Sequence, residues 1–157
     1  MATRVLFVCL GNICRSPAAE GVFRHLVAAA GLADEFAIDS AGTGAWHSGE
    51  PADHRMRKAA STRGITLSSI ARQVTSSDFD NYDWILAMDA SNLQDLRRLS
   101  RAAPHAKIRL FRDFDPDAPG TDVPDPYYGG PEGFADVIDI VTRTSAALLA
   151  HLRRDIS

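Results

Sequence analysis

Apolar runs rich in β-branched and aromatic residues alternate along this chain with stretches of helical period. Val5-Leu-Phe-Val-Cys9 is continuously apolar, the pattern of a strand buried on both faces. After it, Ala19, Val22, Phe23, Leu26 and Ala30 recur at helical spacing, and Gly31 is placed to end that helix. Phe36–Ser40 reads as a second strand, and a weaker helix over Asp53–Arg63 stops at Gly64. Thr75-Ser-Ser-Asp78 has the form of a capping box before a short helix. Trp84–Met88 and Ile108–Phe111 are further strands, with a helix over Ser91–Leu99 between them. The last helix carries one apolar stripe: Phe134, Val137, Ile138, Val141, Leu148 and Leu152.

Strands that alternate with helices predict an α/β fold, a parallel sheet with helices on both faces, because each parallel connection needs a crossover. The longest unpatterned piece runs from Arg112 to Gly130 and is rich in Asp, Pro and Gly. A loop of that length in a compact domain is more often functional than idle. At 157 residues and 45% hydrophobic, the chain suffices for one core, so residues 1–157 are expected to form one domain.

Net charge changes the picture by exclusion. A value of −3 lacks the broad basic surface that nucleic acids or anionic membranes require. The basic cluster Arg97, Arg98 and Arg101 reads as a solvated helix face. No stretch approaches the roughly 20 apolar residues of a membrane span, and Val5–Leu10 lacks the flanks of a signal peptide. Two cysteines are too few for a disulfide scaffold, which points to a reducing cytoplasm. No metal or cofactor is expected: the five histidines are scattered, and no Gly-Lys-Ser/Thr follows the first turn.

The candidate chemistry is concentrated in Val8-Cys-Leu-Gly-Asn-Ile-Cys-Arg-Ser-Pro17. In an open parallel sheet, ligands sit beyond the carboxyl ends of strands, and Cys9 ends the first one. Gly11-Asn12 supplies the turn, and Ser16-Pro17 reads as a cap and first-turn pair. Such a turn aims backbone N–H groups inward, next to a helix N-terminus, and makes a pocket for a tetrahedral oxyanion. Arg15 can close that pocket with a bidentate pair of hydrogen bonds. The same field favours a thiolate at Cys9, a nucleophile on the floor of an anion cradle, able to attack phosphorus in line. Asp125, held between two prolines, is the candidate general acid and base. Tyr127 and Tyr128 beside it suggest the wall of a slot for a flat substrate. Cys9 and Cys14 could instead be core thiols, Asp125 an ordinary turn residue and both tyrosines packing residues; Cys14 could also be a redox partner for Cys9.

Together with Asp125-Pro-Tyr-Tyr128, the first motif resembles the low-molecular-weight protein tyrosine phosphatases. The likeness extends over essentially the whole chain, through Asp39-Ser40, Ala71-Arg-Gln73 and Met88-Asp89. It implies a four-stranded parallel sheet with a phosphate-binding loop after the first strand, and hydrolysis of phosphotyrosine on protein substrates. Cys9 would be the nucleophile, Arg15 and the loop amides, Gly11 among them, the phosphate ligands, and Asp125 the acid. Ser16 would donate to the Cys9 thiolate, with Asn12 and Ser40 holding the loop. Leu10, Ile13, Trp46, Tyr127 and Tyr128 would line the slot, and Cys14 would be the redox partner. Tyr127 and Tyr128 are also candidate targets of a tyrosine kinase. Relatives often carry histidine where this chain has Ser69, and the branch acting on phosphoarginine carries threonine where it has Ile13, which favours phosphotyrosine. Two other functions fit the scaffold. An arsenate reductase would need shuttle cysteines beyond Cys9 and Cys14, and a non-catalytic phosphate-binding module would need neither nucleophile nor acid.

Overall fold

The computed structural model describes residues 2–100, 102–127 and 129–156. Four strands, β1 (Thr3–Cys9), β2 (Phe36–Gly42), β3 (Trp84–Ala87) and β4 (Lys107–Leu110), form one parallel sheet in the order β2-β1-β3-β4. Five helices join them: α1 (Arg15–Ala29), α2 (His54–Ser61), α3 (Asp78–Asn81), α4 (Ala90–Leu99) and α5 (Pro131–Ile156).

The unbroken apolar run of β1 has the expected cause. Val5, Phe7 and Cys9 pack with residues of α1, α2 and α5, whereas Leu6 and Val8 pack with Phe79 of α3 and Leu96 of α4. Successive side chains enter opposite cores, so both must be apolar. Six residues of α5, from Phe134 to Leu152, form the predicted stripe and are buried. At the end of α1, Gly31 adopts φ +72. That left-handed residue lets Gly31 N–H reach the Ala28 carbonyl and Leu32 N–H reach that of Val27, satisfying two otherwise unpaired acceptors.

Several boundaries differ from the sequence reading by one or a few residues, and three places show why. α1 begins at Arg15 with Cys14 at the cap position, and no side chain caps it. Ser16 therefore lies inside the first turn, because its hydroxyl is engaged by Cys9 and Asn12 instead. At Thr75–Asp78 only half of the capping box forms: the Asp78 carboxylate accepts Thr75 N–H at 2.8 Å, but the Thr75 hydroxyl pairs with Ser77. β4 stops at Leu110, and Phe111 opens a short 3₁₀ turn to Phe114.

The order of strands puts a topological switch at β1. Its chain continues to β2 on one side, while β3 lies on the other, so a crevice opens beyond the carboxyl ends of β1 and β3. The long segment after Phe114 crosses that end. Its root is Asp115, whose buried carboxylate takes two hydrogen bonds from Arg143 of α5, at 2.8 and 2.9 Å, and one from Arg112 at 2.9 Å. Arg143's hydrogen bonds hold the Asp115 carboxyl well below the usual carboxylate range. Burial opposes them, and Asp117 N–H and Arg112 reinforce them. Farther along, Val123 N–H bonds to the Met88 carbonyl at 2.7 Å, docking the segment on the end of β3.

Removing the Asp115 charge leaves Arg112 its hydrogen bond to the Asp122 carbonyl at 2.7 Å but no carboxylate partner among the described residues. Asp115→Asn should lower stability by about 3 kcal/mol, the range for breaking a buried pair, seen as a loss of about 9 °C in Tm. Because the folded-state value is depressed, this contribution is complete above the unfolded carboxyl's pKa of about 4 and fades as pH falls further. Melts of both proteins at pH 7 and pH 3 should therefore show a large gap that narrows in acid.

Candidate active site

Cys9 ends β1 with its side chain buried, and its sulfur faces two donors. Asn12 N–H approaches Sγ at 3.3 Å, and the Ser16 hydroxyl lies at 3.0 Å. Which of Ser16 and Cys9 donates is decided one residue further back. Asn12 uses its two amide hydrogens on Ser16 Oγ (2.8 Å) and Ser40 Oγ (3.0 Å), and its Oδ1 accepts Arg72 N–H at 3.0 Å. Arg72 N–H thus fixes the orientation of the amide, and Ser16 Oγ already accepts from it. The remaining Ser16 hydrogen has Sγ at 3.0 Å or the Ala41 carbonyl at a marginal 3.4 Å. We assign it to the sulfur.

Asn12 sits at φ +57, the left-handed region that Asn tolerates better than other residues with a Cβ. Its partner Ser40 donates onward to Glu20 Oε1 at 2.6 Å, and Glu20 is paired with Arg24 at 3.1 Å. The buried Glu20 thus closes a polar chain that ends at Cys9. Ser69 does not join this chain: its hydroxyl oxygen is buried without a hydrogen-bond partner among the described residues. Asn12 Oδ1 takes the backbone N–H of Arg72.

Arg15 opens α1 from the loop 10–14 and is 4% exposed. One terminal nitrogen donates to Asp89 Oδ2 at 2.7 Å and to the Val123 carbonyl at 3.1 Å. Asp89 itself is fixed as the cap of α4, accepting Asn92 N–H on its other oxygen. Nε and the second terminal nitrogen make no hydrogen bond among the described residues, although the latter lies 3.7 Å from Asp125 Oδ2. Burial alone would lower the Arg15 pKa, but Cys9, Asp89 and Asp125 outweigh it and raise it. In the loop itself, the N–H groups of Gly11, Ile13 and Cys14 take no protein acceptor among the described residues.

These groups line a cleft of about 340 Å³, together with Leu10, Trp46, His47 and Tyr127. Trp46 is 71% exposed, yet its indole rests on Gly44: a Cβ there would lie 1.9 Å from the ring. The structure thus brings together Cys9, Leu10, Gly11, Ile13, Cys14, Arg15, Trp46, Asp125 and Tyr127, with Asn12, Ser16 and Ser40 behind them. Tyr128 lies outside the described residues. Sequence reasoning missed His47, whose Nδ1 pairs with Glu50 at 2.9 Å, as well as Glu20 and the supporting roles of Arg72 and Asp89. Arg72 and Asp89 stood in quoted motifs with no role; nothing in the pattern marks His47 or Glu20.

Nearly the whole chain matches known proteins. Residues 4–157 fit the family model described as low molecular weight phosphotyrosine protein phosphatase. The chain belongs to that family. It is 48% identical to the low molecular weight protein-tyrosine-phosphatase of Streptomyces coelicolor, over 99% of this chain and 97% of the relative. A crystal structure of the Entamoeba histolytica protein tyrosine phosphatase, with Hepes in its active site, superposes with a TM-score of 0.94 at 44% identity, covering 99% of this chain and 100% of that one. The Drosophila arginine phosphatase DARP has a TM-score of 0.87 at 31% identity, covering 94% and 96%.

Cys14 differs from Cys9 in its surroundings. Burial first, then the charges of Asp53, Cys9 and Asp125, push its thiol up to about 12, against a weaker opposing pull from Arg55. In Cys9→Ser protein, which keeps the burial and the charges of Asp53 and Asp125, iodoacetate at pH 8 should therefore alkylate Cys14 more than about tenfold more slowly than free cysteine, whose pKa is about 8.5. The rate should climb only toward strongly alkaline pH.

Proposed function

We propose that this member of the family hydrolyses phosphotyrosine on protein substrates, with Cys9 as nucleophile and Asp125 as the acid–base group. The observation that carries this reading is the sulfur of Cys9, receiving two hydrogen bonds on the floor of a cleft that also holds Arg15 and Asp125. The phosphate would sit in the loop 10–15, its oxygens taking the N–H groups of Gly11, Ile13 and Cys14 and the Arg15 fork of Nε and the second terminal nitrogen.

In the first step the thiolate attacks phosphorus, the bond to the phenolic oxygen breaks, and Asp125 gives that oxygen its proton. In the second, Asp125 takes a proton from water, the water oxygen attacks phosphorus, and the S–P bond breaks, releasing phosphate and restoring the thiolate. The amides and the guanidinium stabilise the charge that builds on the equatorial oxygens in both steps. Leu10, Ile13, Trp46 and Tyr127 give the aromatic ring an apolar slot. Both cysteines are free, which suits a reducing cytoplasm. No helix among the described residues is long and apolar enough to cross a membrane.

Cys9→Ser should abolish turnover of an aryl phosphate, and retained turnover would end this reading. Asp125→Asn should lower kcat by about 10²–10⁴. Phosphoarginine belongs in the same assay, given the likeness to DARP. The apolar Ile13 predicts a kcat/KM for phosphoarginine well below that for phosphotyrosine, and a reversed order would reassign the substrate.

A further inference from the structure

Arg55, the second residue of α2, is rooted more firmly than its exposed position suggests. Asp53 caps α2 by accepting Arg55 N–H at 2.8 Å, and the same carboxylate grips the guanidinium in a fork, with contacts of 3.2 Å to Nε and 3.1 Å to a terminal nitrogen. Asp53 N–H in turn donates to the Ile13 carbonyl at 2.7 Å. The guanidinium is therefore fixed relative to the loop that follows β1. From this root its central carbon lies 4.6 Å from the ring centroid of Phe134, a fully buried residue of the first turns of α5, and 5.2 Å from that of Tyr127. Tyr127 stands two residues beyond Asp125, and Asp125 Oδ1 accepts Tyr127 N–H at 3.1 Å. The position of the Tyr127 ring and that of the Asp125 carboxyl are thus coupled through one turn.

We propose that Arg55 is a positioning residue of the slot, a bridge from the loop after β1 to the segment carrying Asp125 that holds Tyr127 as a wall for an aromatic ring. The inference rests on the reading of the cleft as a phosphotyrosine site. It needs arginine: only a planar guanidinium can fork onto Asp53 and lie on two rings at once, whereas an ammonium is a point charge. Arg55 touches none of the groups placed around the phosphate, so its effect belongs to the aromatic part of the ligand.

The test compares wild type with Arg55→Ala and Arg55→Lys in two measurements: calorimetric binding of phenylphosphonate and of inorganic phosphate, and turnover of an aryl phosphate. Both variants should weaken phenylphosphonate about fivefold, the scale of one lost cation–π contact, and raise KM for the aryl phosphate by a similar factor. Affinity for inorganic phosphate should stay within twofold, which also shows that the fold and the loop are intact. Unchanged phenylphosphonate binding in Arg55→Ala, full rescue by lysine, or a parallel loss of inorganic phosphate would each overturn the proposal. Wild-type protein that binds phenylphosphonate in an Arg55-dependent way yet turns over no aryl phosphate would overturn the functional reading and leave the bridge standing. Wild-type protein that binds neither ligand would overturn both.

Discussion

The geometry of the cleft floor depends on one buried amide. The structure commits both side-chain hydrogens of Asn12 to serines, its side-chain oxygen to Arg72 N–H and its backbone hydrogen to Cys9. A backbone N–H cannot accept, so Arg72 dictates which end of the amide faces it, and every proton further along the chain is then directed. Reversal would set an NH₂ group against the Arg72 N–H, donor against donor, and would draw the Ser16 and Ser40 hydrogens toward Oδ1 and away from Cys9 and Glu20. The left-handed backbone at Asn12 is maintained by these contacts, and the same conformation turns the loop so that its N–H groups converge.

A second brace works from the other side of the switch point. Asp89, just past β3, caps α4 with one oxygen and holds Arg15 with the other. Val123 adds its carbonyl to the same guanidinium while its own N–H is docked on Met88. Three separate parts of the chain, from α1, the end of β3 and the long segment after Phe114, thereby meet at a single arginine. The parallel sheet makes this possible by delivering β1 and β3 side by side with their carboxyl ends together.

Much of this was legible in the residues. The apolar runs of β1 and β3 and the stripe of α5 announce themselves because burial on two faces, or on one helical face, leaves no choice of residue type. Cys9, Arg15 and the turn between them were readable because strand, turn and helix follow one another in sequence, and Asp125 because prolines frame it. What the pattern hid is what the fold assembles from afar. Glu20 sits on a helix face where an acidic residue looks solvated, yet it is buried against Ser40. His47 follows Trp46 in a stretch with no periodicity. Ser16 shows how a local rule loses: as a helix cap it would satisfy one backbone N–H, but the tertiary demand of a sulfur and an amide claims its hydroxyl.

The two ends of the cleft are built from different material. Its floor is attached to β1 and α1 and is braced by Asp53 and Asp89, the caps of α2 and α4, so a change there is felt throughout the sheet. Its rim, by contrast, consists of an indole lying on Gly44 and a tyrosine leaning on an arginine, both borne by irregular backbone. Duplicated copies of such a gene could therefore exchange rim residues and acquire new clients while inheriting an unaltered reaction centre. Diversification would leave its mark first around residues 44–50 and at Tyr127, and last at the turn beneath them.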